Sequence, residues 1–302
     1  MNRTLTLGLV QHACGDDAAE NFERCREGVR EAARLGARLV LTQELFRTRY
    51  FCQQEDPTAF DLAEPVPGPG TEALALLAAE LDVVLVASLF EHRAAGLFHN
   101  TAVVLDRDRG LVGRYRKMHI PDDPGYYEKY YFTPGDLGFT PVDTSLGRLG
   151  VLVCWDQWFP EAARLMALAG AEILLYPTAI GWDPADSPEE QARQADAWRT
   201  VQRAHAIANG IPLAACNRVG LEPDPAHPGR GQRFWGASFV CGPQGEVLAE
   251  APVDRPAVKV VAVDLSRTGQ VRRAWPFLRD RRIDAYGGLT SRYLEPRPGP
   301  DP

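Results

Sequence analysis

The sequence predicts an α/β domain with helices flanking sheets, and three observations carry that reading. Nine short runs rich in Val, Ile and Leu recur along the chain. Stretches with helical periodicity lie between many of them. Hydrophobic residues make up 45% of the 302 residues, enough for a large core. Alternation of this kind belongs to domains that bury a sheet beneath helices.

The strands are expected at 5–11, 38–42, 83–90, 100–105, 148–154, 171–176, 211–216, 236–241 and 257–264, each with the composition of a strand buried on one or both faces. The first helix is expected over 18–36, where Phe22, Cys25, Val29 and Ala32 share one stripe and Asp17 with Glu20 reads as a capping pair. A second helix is expected over 70–81, and a third over 160–169, opening on Pro160. A long one over 188–208 follows Ser187 with Pro188 and two glutamates. The strands fall into two loosely similar halves about residue 145. The stretch 221–231, rich in Pro and Gly, reads as an exposed loop. A single domain is expected over 1–290, followed by a Pro-rich tail over 291–302.

Charge and cysteine usage narrow the function classes. With 33 basic and 40 acidic residues the net charge is -7, which gives no general attraction to nucleic acid or to an anionic membrane and suits a small cationic substrate. The six cysteines form no C-x-x-C pair and suit neither a disulfide framework nor a zinc site. The N-terminal residues carry no cleavage signature, and no run approaches the roughly 18 apolar residues of a membrane helix. A cytoplasmic protein without membrane partners is expected. Dinucleotide, P-loop and zinc-protease motifs are missing from the sequence.

Three residues could form one reaction centre. Cys154 follows the apolar run GVLV and precedes a helix, a position that aims a thiol at the crevice of an open α/β sheet. A helix N-terminus there would lower the thiol pKa. Glu44 follows LVLTQ at another strand end, where a buried carboxylate is a usable proton acceptor. Lys117, in GRYRKMHIP, could stabilise charge growing on a carbonyl oxygen. On position alone, plain structural readings also fit: a core cysteine, a solvated loop acid, an exposed basic cluster. Together the three supply the nucleophile, base and oxyanion donor of thiol-based amide hydrolysis.

These segments carry a resemblance. TQELF around Glu44, YRKMHIPDDPGYYEKYYFTPGD around Lys117 and VLVCWDQWFPEAARL around Cys154 resemble the three signature regions of the nitrilase (carbon–nitrogen hydrolase) superfamily. Within it, the segments 44–56, 117–136, 176–184 and 277–286 resemble the N-carbamoylputrescine amidohydrolases. Arg47, Thr48 and Arg49 before Tyr50, and Trp182 in AIGWDP, depart from that subfamily's pattern.

The resemblance implies a four-layer α-β-β-α sandwich, a homo-oligomer (dimer or larger), no metal and no cofactor. It implies a hydrolase of carbon–nitrogen bonds other than peptide bonds, cleaving N-carbamoylputrescine through a thioester. Cys154 is then the nucleophile and Glu44 the base. Lys117 with the Trp155 N–H becomes the oxyanion donor, and Glu128 a fourth acidic residue that positions substrate or lysine. The substrate's ammonium calls for a carboxylate or aromatic faces, for which Asp183, Tyr50, Trp155 and Trp182 are candidates. A β-ureidopropionase or ω-amidase would share the same residues. A Cys–His hydrolase would need a histidine such as His119 near Cys154, and a binding module on the same fold would need no reactive thiol at all.

Overall fold

The computed structural model describes residues 3–224, 227 and 230–295. In chain order, the first sheet takes β1 (Thr4–Gln11), β2 (Leu39–Thr42), β3 (Val84–Ala94), β4 (Leu97–Asp106) and β5 (Gly110–Arg116). The second takes β6 (Val142–Thr144), β7 (Gly147–Val151), β8 (Ile173–Thr178) and, after the short β9 (Gly181–Trp182), β10 (Leu213–Asn217). A hairpin of β11 (Val219–Pro223) and β12 (Gly231–Trp235) joins β9 in a small third sheet. Strands β13 (Phe239–Cys241) and β14 (Val247–Glu250) complete the second sheet, and β15 (Ala257–Asp264) returns to the edge of the first. The helices are α1 (Ala18–Arg34), α2 (Pro69–Glu80), α3 (Glu128–Tyr131), α4 (Pro160–Leu168), α5 (Pro188–Asn209) and α6 (Ser266–Ala274).

The six-stranded sheets run β15-β1-β2-β3-β4-β5 and β14-β13-β10-β8-β7-β6. Each has three adjacent parallel strands, β1-β2-β3 and β10-β8-β7, flanked by antiparallel ones. Alternation along the strands explains the layers. Leu39, Leu41, Val84, Val86, Ala102 and Val104 face one way, into the core shared with Leu149, Val151, Ile173 and Leu213 of the second sheet. Val40, Leu85, Val103 and Leu105 face the other way, against Cys25, Val29 and Ala32 of α1 and Leu74 and Leu77 of α2. Helices α4 and α5 bury Ala162, Ala163, Met166, Trp198 and Ala206 on the far side of the second sheet. The result is helix, sheet, sheet, helix. Strands covered on both faces read as continuous apolar runs, which is why they are visible in the sequence.

Several expectations are corrected. The division between halves falls between Arg116 and Val142, and the last strand crosses back to the first sheet. The strand expected over 148–154 ends at Val151. The stretch 221–231 is not simply a loop: β11 and β12 pair across it, with Glu222 and Phe234 buried, although residues 225, 226, 228 and 229 lie outside the described residues. Residues 296–302 of the expected tail lie outside them too. Asp17 caps α1 by accepting from Ala19 N and Glu20 N, but Glu20 pairs with Arg24 instead of closing a box. Strands β5, β6 and β14 and helix α6 lacked a sequence signal because they are short or half-exposed. No helix among the described residues is long and apolar enough to cross a membrane.

The tight seam between α1 and β1 offers a test. A side chain at Gly8 would place Cβ 2.9 Å from Ala32 Cβ and 3.0 Å from Ala37 Cβ. Gly8→Val should lower stability by ~1–3 kcal/mol in urea unfolding, as overpacking does.

Candidate active site

Parallel strands of both sheets deliver their carboxyl ends to one edge, where open α/β structures place ligands. Glu44 follows β2, Cys154 follows β7, and Ala179 follows β8. Lys117 follows β5, fixed by its N–H to Asn100 O (2.9 Å) and by its carbonyl, which accepts from Gly135 N (2.8 Å).

Lys117 is fully buried between two buried carboxylates. Its Nζ donates to Glu44 Oε1 at 2.9 Å and to Glu128 Oε2 at 2.6 Å. An ammonium has three donors, so one stays available. Burial pushes the Lys117 amine down, but Glu128 and Glu44 outweigh it and hold the pKa well above the ordinary value. Glu128 is pushed up by burial and by Glu44, against the pull of Lys117. Its second oxygen accepts from Tyr50 Oη at 2.6 Å. Asn100 Nδ2 donates to Glu44 Oε1 at 2.7 Å, while Glu44 Oε2 is buried and makes no hydrogen bond. Glu44 thus presents one oriented oxygen and one open to a proton.

Cys154 opens a short 3-10 turn, Cys154–Trp158, with φ +39, a left-handed conformation that costs a non-glycine residue energy and is found at functional turns. Asp156 holds the turn. Its buried carboxylate accepts from Val153 N (2.9 Å), Tyr115 Oη (2.9 Å), His119 N (3.1 Å) and His119 Nδ1 (2.7 Å). The turn that bears Cys154 is thereby tied to the segment that carries Lys117. Gln157, also fully buried, accepts from Trp198 Nε1 (2.8 Å) and ties the turn to α5. The Cys154 thiol lies 3.7 Å from Ala179 O.

The expected lowering of the thiol pKa is overturned. Helix α4 begins only at Pro160, so its N-terminus is not at the sulfur. Burial raises Cys154 well above the ordinary thiol value and Glu44 raises it further, with Lys117 pulling the other way.

A pocket of about 450 Å³ opens over Cys154. Trp155, Trp158, Tyr126 and Trp235 line it, with Asp123, Asp183 and Asp186 also on its wall. Asp183 also serves its turn, accepting from Ala185 N at 2.8 Å. Two expected pocket residues are corrected. Tyr50 is buried beneath the site, packed on Tyr126 and Phe234, and touches Glu128 instead of the pocket. Trp182 is not in the lining: it stacks behind Trp235 at 5.0 Å and donates to Gln191 O at 2.9 Å. His119 is held by Asp156 and stacks on Phe159 at 3.7 Å. Asn100, Tyr126 and Asp156 were not singled out from the sequence; their partners are far along the chain, and only the AIGWDP and CWD segments hint at them. Among the described residues, no group of three or more His, Cys, Asp or Glu is arranged to hold a metal ion.

Comparison with known proteins now adds to the geometry. The carbon–nitrogen hydrolase family model matches residues 6–273. The chain is 46% identical over 287 residues to an N-carbamoylputrescine amidase of Solanum lycopersicum, covering 94% of each. It is 40% identical to a citrullinase of Francisella tularensis, covering 96% of this chain and 99% of that one. A crystal structure of a carbon–nitrogen hydrolase from Helicobacter pylori G27 superposes with a TM-score of 0.94 at 53% identity, covering 96% of this chain and all of the other.

The buried charges set a stability test. Lys117→Met leaves two buried carboxylates without a cation and should cost ~3–5 kcal/mol in chemical unfolding. Adding Glu128→Gln should restore part of that loss, because one of the stranded charges is then gone.

Proposed function

The chain belongs to the carbon–nitrogen hydrolase family, and from that premise we propose that it hydrolyses N-carbamoylputrescine to putrescine, carbon dioxide and ammonia. The observation that carries the choice of substrate is the pocket wall. Asp123, Asp183 and Asp186 line it, and no lysine or arginine does among the described residues. Such a wall suits a substrate that ends in an ammonium and sets like charge against one that ends in a carboxylate. The similar amidase of Solanum lycopersicum carries the matching name. Citrulline, named by the Francisella relative, bears a carboxylate beside its amine, and so does N-carbamoyl-β-alanine at its far end.

In this reading the sulfur of Cys154 attacks the ureido carbonyl carbon while its proton passes to Glu44 Oε2. A raised thiol pKa fits that order: the proton leaves as the bond forms, and Glu44 is the group that takes it. Charge moves to the carbonyl oxygen, met by the third donor of Lys117 and the Trp155 N–H. Glu128 keeps Lys117 charged and aimed. Collapse expels an amine, which takes the proton back from Glu44. The remaining thioester is opened by water that Glu44 deprotonates, and the carbamic fragment yields carbon dioxide and the second amine.

A cytoplasmic setting and a homo-oligomer belong to the same reading. The six cysteines, all unpaired, support the first. Leu165, Leu168, Trp275, Phe277, Ile283 and Leu289, all large apolar side chains left well exposed, support the second.

Ammonia release should be fastest from N-carbamoylputrescine, with citrulline and N-carbamoyl-β-alanine at least tenfold slower in kcat/KM. A preference for either would overturn the substrate and leave the chemistry standing. Cys154→Ser and Glu44→Gln should each abolish turnover. Asp183→Asn should raise KM for the cationic substrate ~3–5-fold with little change in kcat, the size of a solvent-exposed ion pair.

A further inference from the structure

Behind the pocket lies a second buried cation that the proposed chemistry does not use. Arg218 follows β10 and is fully buried. Its Nη2 donates to Glu44 O (3.1 Å) and Leu45 O (2.8 Å), and its Nη1 to Thr48 O (2.8 Å) and Glu222 Oε1 (2.7 Å). The chain it holds is irregular. Residues 44–48 form no helix or strand, and Leu45 sits at φ +47. Buried carbonyls in such a turn have no ladder partner and need another donor. One guanidinium collects three of them.

The anchor reaches further. Glu222 Oε2, on the other side of the ion pair, accepts from Tyr50 N at 2.6 Å. Tyr50 in turn donates through its hydroxyl to Glu128. The guanidinium lies 5.4 Å from the Phe234 ring centre and 6.0 Å from that of Tyr50, which fixes its plane. Even the backbone agrees, since Arg218 N (3.2 Å) and Glu44 N (3.3 Å) both donate to Thr178 O.

We infer that Arg218, paired with Glu222, is a positioning residue that sets both carboxylates of the Lys117 cluster: Glu44 through the turn that bears it, and Glu128 through Tyr50. Arg218 does not line the pocket, so it acts through these residues. The planar fork matters here, because a lysine at 218 would keep the charge but could not span three carbonyls and a carboxylate. The inference rests on the reading of Glu44 as proton acceptor, and its test separates the two.

Arg218→Lys and Glu222→Gln are compared with Cys154→Ser and Glu44→Gln, each checked for cooperative unfolding. For Arg218→Lys, kcat per folded enzyme should fall about tenfold or more, the usual result of misplacing a reacting group by a fraction of an ångström. KM should stay within twofold. The acid limb of kcat/KM should move from its wild-type position. Glu222→Gln should give a smaller fall in kcat with the same unchanged KM. A merely architectural role would lower stability and leave kcat and the acid limb where they are. Wild-type kcat and pH profile in both variants, or loss of cooperative unfolding in both, would overturn the inference. Activity surviving in Cys154→Ser or Glu44→Gln would instead overturn the reading on which it stands.

Discussion

An ammonium buried between two carboxylates is the constraint around which this molecule is arranged. Lys117, Glu44 and Glu128 are each buried to within 1% exposure. Any one of them alone in that place would be expelled or neutralised. They persist because each charge meets an opposite one within 2.9 Å and because surrounding donors complete the set. Asn100 steadies Glu44, and Tyr50 steadies Glu128. The arrangement has little tolerance: shift either carboxylate and the lysine loses both its charge compensation and its aim.

The two-sheet architecture is what makes such a cluster possible. No single segment could bring these groups together, since 73 residues separate Lys117 from Glu44 and 56 separate Asn100 from Glu44. Parallel strands in both sheets end at the same edge, so residues just beyond β2, β7, β8 and β10 meet there with their backbones already fixed. The rigid core below sets the positions. The irregular turns above, at 44–48 and 154–158, set the directions. Asp156 joins two of these parts by accepting four hydrogen bonds from three residues of separate segments.

Much of this could be read from the sequence, and the remainder could not for physical reasons. Strands buried on both faces announce themselves by unbroken apolar runs, so β1, β3, β4 and β8 are visible. Strand β5 is not, because Arg114 and Arg116 on it serve the buried carboxylate of Glu91. Glu44, Lys117, Cys154 and Glu128 stood out through flanking motifs. An aromatic side chain near a motif gives no hint of which way it turns: Tyr50 turns under Glu128 and Trp182 behind Trp235. The thiol's electrostatics were misjudged for a related reason. The helix was seen in the sequence, but the intervening 3-10 turn that separates it from the sulfur was not. Arg218 looks unremarkable in NRVG, and only its contacts, 170–174 residues away, give it meaning.

The excess of carboxylates over ammonium at the centre has a consequence for the lifetime of the protein. Peroxide and disulfide exchange attack the ionised form of a cysteine far faster than the protonated one. Burial, and after it Glu44, favours the thiol of Cys154 over the thiolate, and the thiol is the form that oxidants consume more slowly. The same negative environment that disfavours ionisation of this sulfur therefore also disfavours its oxidation.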